Sequence, residues 1–125
     1  MSSAYLNAPI DENVFMAQPE GFEVIDGDGG ELVCQLSKSL YGLKQAGRNW
    51  NLWFAQWLIE HGFVQSLSDP CLFVKREGGK IAIAVCLFVD DMLLAGRSRQ
   101  VLHDFRSDWS CPVYRVYQYF IDNYR

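Results

Sequence analysis

Two adjacent aspartates, Asp90 and Asp91, interrupt an apolar run in the segment CLFVDDMLLAG, residues 86–96. An ionised carboxylate in an apolar setting is unfavourable unless something cationic meets it. Asp is also a common turn residue, so two strands could simply meet at this point. The sharper reading is a metal site at a hairpin tip, where a tight turn leaves carboxylate oxygens open to hard cations. The other candidate ligands offer less. Cys34, Cys71, Cys86 and Cys111 form no CxxC pair and have no His at ligand spacing. They read as reduced, core-filling thiols of an intracellular protein. His61 and His103 have no partner in sequence reach and read as surface residues.

The elements that would hold the aspartates are legible on either side. CLFVKR and KIAIAVCLFV flank the turn signal EGG and predict a hairpin. The second of these strands is apolar on both faces, with Ile81, Ile83, Val85 and Leu87 on one and Ala82, Ala84, Cys86 and Phe88 on the other. Such a strand is expected to be covered on both sides. MLLAG supplies a third strand, which puts Asp90 and Asp91 in a tight antiparallel turn. Upstream, Trp50, Trp53, Phe54, Trp57 and Leu58 recur at helical spacing and predict a helix over 45–61, closed by Gly62. The tryptophan stripe is expected to be core. Downstream, Ser98 is a candidate N-cap for a helix that turns Val101, Leu102 and Phe105 inward. ELVCQLSKSL is a short strand candidate, PEGFEVIDGDGGE reads as a loop, and SCPVYRVYQYFIDNYR alternates like a strand with no evident partner. The fold class is therefore α+β, an antiparallel sheet carrying packed helices.

Half of the 125 residues are hydrophobic, which favours a folded chain over a disordered one. No run is long and apolar enough to span a bilayer, and no secretory leader is expected, so the expected location is cytoplasmic or nuclear. Residues 1–31 hold seven acids and no Lys or Arg, whereas 32–125 hold eleven basic and eight acidic residues. That balance is too weak for a dedicated nucleic-acid binder.

Four segments, in order and in register, carry a resemblance: SSAYLNAPIDENVFMAQPEGF, KSLYGLKQAGRNW, HGFVQSLSDPCLFVK and FVDDMLLAG. Together they resemble the copia-type reverse transcriptase of long-terminal-repeat retrotransposons, from residue 1 to about 108. The resemblance implies the palm of a right-hand polymerase, with primer–template and deoxynucleotides as partners and two Mg²⁺ (or Mn²⁺) ions as cofactors, weakly held here. It implies Asp90 as the main metal ligand and Asp91 as the second acid. It implies Tyr5 beneath the sugar of the incoming nucleotide, and Tyr41, Gly42 and Lys44 along the segment that meets nucleotide and template. From the residues alone, Tyr5 also reads as a packing residue, and Lys44 and Arg48 also read as solvated cations at a helix start.

Several positions depart from the family pattern. Phe88 stands in place of the usual Tyr, and Gly47 in place of the usual Pro. Met1 stands where the pattern has the Val of D-V-x-x-A-[FY]-L-N, so the Asp that would be a further metal ligand falls one position before it. Residues 109–125 match no family element. The expectation is a retrotransposon polymerase fragment, inactive alone, that self-associates through exposed apolar surface. The competing reading is a non-enzymatic relic acting as a protein- or nucleic-acid-binding module.

Overall fold

A computed structural model describes residues 4–89, 91–108 and 115–120 of the chain. Asp90 and Cys111 lie outside these residues. The helix predicted over 45–61 is α2, Ala46–Glu60. Its apolar stripe turns Trp50, Phe54 and Leu58 fully inward, while Trp53 and Trp57 pack against the edge of the same core. Gly62 ends it at a φ of 82°. The Gly62 amide donates to Ile59 O at 3.0 Å and the Phe63 amide to Leu58 O at 3.0 Å, the paired bonds of a Schellman ending. Phe63 is buried beneath that turn.

The predicted hairpins form a five-stranded sheet in the order β3-β4-β5-β6-β7. Its strands are β3 (Val64–Gln65), β4 (Leu72–Glu77), β5 (Lys80–Phe88), β6 (Asp91–Gly96) and β7 (Arg115–Phe120). Gly78 and Gly79, both at positive φ, make the β4–β5 turn. The first four strands are antiparallel neighbours, and β7 joins β6 in parallel. A parallel pair needs a crossover, here α3, Arg99–Asp108. Ser98 starts that helix as expected, its Oγ accepting the Val101 amide at 3.3 Å, and Leu102 and Phe105 face inward. So the strand-like alternation of the last segment does find a partner, and it is the far edge of β6.

The two faces of β5 are buried unequally. Ile83, Val85 and Leu87 are buried against the helices, joined by Phe73, Met92 and Leu94 from the flanking strands. On the opposite face Ala82 is buried, Ala84 and Cys86 are half-buried and Phe88 is exposed, so among the described residues burial of that face falls off toward the hairpin tip.

Two elements carried no sequence signal. α1, Ala4–Asn7, is a single turn, and β1, Phe15–Ala17, pairs antiparallel with β2, Val33–Gln35, in a separate two-stranded sheet. β2 lies inside the predicted strand segment, although its Leu32 and Val33 are exposed. Cys34, Cys71 and Cys86 are free thiols, half-buried and not deep in the core as expected. Among the described residues no helix is long and apolar enough to cross a membrane.

Candidate active site

The β5–β6 connection is a two-residue turn, since Phe88 registers with Asp91. Asp91 therefore opens β6 immediately after the turn and is half-buried. Val89, the first turn residue, has φ 52° and is the non-glycine residue at positive φ among those described. Hairpin turns of this length require positive φ and favour Gly, Asn or Asp there. A β-branched residue in that region is strained by about 1–3 kcal/mol and persists only where its surroundings enforce it. Val89 receives a contact from α2. The indole Nε1–H of Trp50 donates to the Val89 carbonyl at 2.7 Å. Trp50 is itself buried, in offset ring contacts with Trp53 and Phe54 at 5.5 and 5.7 Å. This bond was invisible in the sequence, where Trp50 read only as an apolar core residue.

A cleft of about 270 Å³ lies against the turn, lined among others by Tyr5, Gly47, Trp50, Phe88 and Val89. It brings Tyr5 beside the hairpin. Several contacts hold the Tyr5 segment to the Tyr41 segment, the Ile10 amide donating to Ser37 O at 3.4 Å among them. Pro9 bridges Lys38, the Ser39 amide donates to Ala8 O at 3.0 Å, and Lys38 Nζ donates to Asn7 O at 3.1 Å. Ser39 is fully buried, and its hydroxyl accepts Asn49 Nδ2 at 3.3 Å, which ties both segments to α2. Tyr41 packs on Tyr5 and is half exposed. Gly42 follows at φ 99°, a left-handed position suited to glycine. Lys44 and Arg48 are exposed.

Of the predicted site residues, Tyr5 and Asp91 thus flank the same hairpin region, Tyr41 is stacked on Tyr5, and Gly42 and Lys44 sit further along an exposed turn. Asp90 lies outside the described residues. Among the described residues no three His, Cys, Asp or Glu side chains come together as a metal cluster. His61 stacks on Trp57 at 3.8 Å and His103 is exposed beside Asp104, in keeping with surface roles. Two environments alter acidity. Burial, then the charges of Asp69 and Cys71, push the Cys86 thiol up. In the acidic loop, the backbone amides of Glu23 itself and of Gly21 hold the Glu23 carboxyl down.

An α+β sheet with a carboxylate at a two-residue hairpin and a tyrosine-lined cleft beside it agrees with the comparisons with known proteins. The family described as "Reverse transcriptase (RNA-dependent DNA polymerase)" matches residues 1–113, and the chain belongs to that family. Within it, the relatives are copia-type Pol polyproteins. The chain is 38% identical over 110 residues to the retrovirus-related Pol polyprotein from transposon TNT 1-94 of Nicotiana tabacum, covering 88% of this chain and 8% of the relative. It is 41% identical over 104 residues to that from transposon RE1 of Arabidopsis thaliana, covering 83% and 7%. It is 37% identical over 95 residues to the transposon Ty1-NL2 Gag-Pol polyprotein of Saccharomyces cerevisiae, covering 75% and 5%. The chain therefore spans less than a tenth of each of these relatives. No solved structure matches it.

Proposed function

We propose that this chain is the palm region of a retrotransposon RNA-directed DNA polymerase, with its β5–β6 hairpin carrying the metal-binding carboxylates. Asp90 is the main ligand and Asp91 the second acid. The observation that carries this reading is the hairpin itself, a two-residue turn held by α2 with Asp91 as the first residue of β6. The donor set fits the metal: carboxylate oxygens suit Mg²⁺ or Mn²⁺, and the Asp91 carboxylate has no ion-pair partner among the described residues. When bound, two such ions would activate a primer 3′-hydroxyl and hold the triphosphate for in-line displacement.

The chain's own residues supply position. Tyr5, facing the cleft beside Phe88 and Val89, lies beneath the nucleotide sugar, and Tyr41 supports its ring. Gly42 and Lys44 meet nucleotide and template from the exposed turn. Residues 1–108 form the palm region and 109–125 a divergent tail. The partners are primer–template and deoxynucleotides, in the cytoplasm or nucleus. Two-metal chemistry uses a further carboxylate from another segment, so these 125 residues alone bind metal weakly and do not extend a primer. Extension of a primed RNA template with Mg²⁺ or Mn²⁺ tests this. Templated product that exceeds an Asp90→Ala control would overturn the inactivity.

A further inference from the structure

The Trp50–Val89 bond spans 39 residues of sequence and joins a buried side chain of α2 to the residue immediately before the aspartate pair. Three observations converge on it. Val89 carries a side chain that disfavours its own backbone conformation, at φ 52°. Its carbonyl receives a short bond, 2.7 Å, from an indole that is 1% exposed and in ring contact with Trp53 and Phe54. The same indole and the same valine line one wall of the cleft at the hairpin.

Packing alone would not need the nitrogen, although a phenylalanine ring is smaller and would leave part of the indole's volume empty. A buried indole N–H does need an acceptor, and here it takes the turn carbonyl. We infer that Trp50 is a positioning residue: its indole N–H holds Val89 in the left-handed conformation and thereby fixes where the carboxylate of Asp91, at the start of β6, stands. The helix core and the hairpin tip are then one mechanical unit. The inference rests on the metal-site reading for its consequence, and on the turn geometry for its cause.

The test separates the two. Parent, Trp50→Phe, Val89→Gly, the double variant and Trp57→Phe are compared by NMR, with Mn²⁺ as the probe. The three-bond HN–Hα coupling of residue 89 reports its φ, and Mn²⁺ titration reports affinity at the hairpin. Trp50→Phe is expected to move the Val89 coupling toward extended values and to weaken Mn²⁺ binding about tenfold, the low end for residues that orient ligands. Glycine takes positive φ without strain, so the double variant returns to within about twofold of Val89→Gly alone. Trp57→Phe, the same chemical change two turns further along α2 in a ring that packs on His61 and Phe105, leaves both readouts at parent values. An unchanged Val89 coupling in Trp50→Phe overturns the inference whatever the metal does. A changed coupling with no Mn²⁺ binding at the hairpin of the parent sinks the metal-site reading and leaves the turn-holding role standing. Should Trp50→Phe not fold, the parent still decides the cause. Its Trp50 indole proton must exchange with solvent more slowly than that of Trp53, and equal exchange rates overturn the bond.

Discussion

The rings of Tyr5 and Tyr41 lie 4.2 Å apart, centroid to centroid, at a tilt of 35°. They come from two segments that the buried Ser39 and the Pro9–Lys38 bridge hold together. That contact turns two separate sequence motifs into one surface beside the hairpin. A tilted aromatic pair contributes about 0.5–1.5 kcal/mol beyond its buried area. Tyr41→Ala should lower the unfolding free energy by about that amount while Tyr5→Phe, which keeps the ring, leaves it within about 0.5 kcal/mol. Denaturant melts distinguish the two. Equal losses would mean that the Tyr5 hydroxyl, and not the ring contact, matters.

Gly47 sits in the first turn of α2 with the Tyr5 hydroxyl 3.5 Å from where a Cβ would stand. That is ordinary contact distance, and the position has no positive φ. Gly47→Ala should therefore stabilise the chain by roughly 0.5–1 kcal/mol through helix propensity. A lower thermal midpoint for the alanine variant would reveal a clash with Tyr5 that the geometry does not predict.

Gly96 is the reverse case. A Cβ there would stand 2.8 Å from Cγ and Cδ2 of Leu102, which is 1% exposed and has nowhere to move. It is the close approach of β6 to α3 that requires glycine. Gly96→Ala is expected to destabilise by about 1–3 kcal/mol, the range for overpacked cores. Gly96→Ala/Leu102→Ala should recover part of that loss, and a double variant no better than the sum of the singles would place the defect elsewhere.

Cys86 supplies a pH dependence. Its folded thiol is held above the ordinary value, first by burial and then by Asp69 and Cys71. The fold thus retains a proton that the unfolded chain releases. The associated stability is complete below the ordinary thiol range and is lost as pH rises through the folded value. Stability of the parent should decline over that alkaline window, and Cys86→Ala should flatten the decline. Alkylation of Cys86 should also run slower than that of free cysteine at the same pH, because the thiolate is the nucleophile.

Self-association through exposed apolar surface is expected. β5 is paired on both edges, by β4 and β6, so the folded chain does not offer it for pairing. The exposed apolar surface gathers instead at the β1–β2 sheet and its loop: Phe15, Phe22, Val24, Ile25 and Val33 are each more than half exposed. Contiguous patches of that kind promote association. Light scattering of the parent should show concentration-dependent oligomers that a Phe22→Ser/Val33→Thr variant reduces. A monodisperse parent at high concentration would contradict the idea.

What was legible in the sequence had strong local periodicity or chemistry behind it. The stripe from Trp50 to Leu58, the Gly62 ending, the Gly78–Gly79 turn and the Ser98 cap each rest on interactions within a few residues, and all formed. α1 and β1 were missed because four and three residues hold no period to read. The partner of β7 was missed because parallel pairing depends on a crossover, not on the strand's own pattern. At the candidate site the aspartates stood out by type, yet the Trp50–Val89 bond did not. Its signal was a valine where a hairpin wants glycine, and its answer lay 39 residues away.

The central claim is that the β5–β6 hairpin is a divalent-cation site. Mn²⁺ line broadening in the amide NMR spectrum tests it most directly, because the acidic loop at 20–31 offers competing carboxylates in Glu20, Glu23, Asp26, Asp28 and Glu31. Broadening should centre on Asp91 and its neighbours in β5 and β6 at substoichiometric Mn²⁺, and Asp90→Asn should abolish it there while leaving the loop signals as in the parent. Broadening that begins at residues 20–31 and is indifferent to Asp90→Asn would contradict the account.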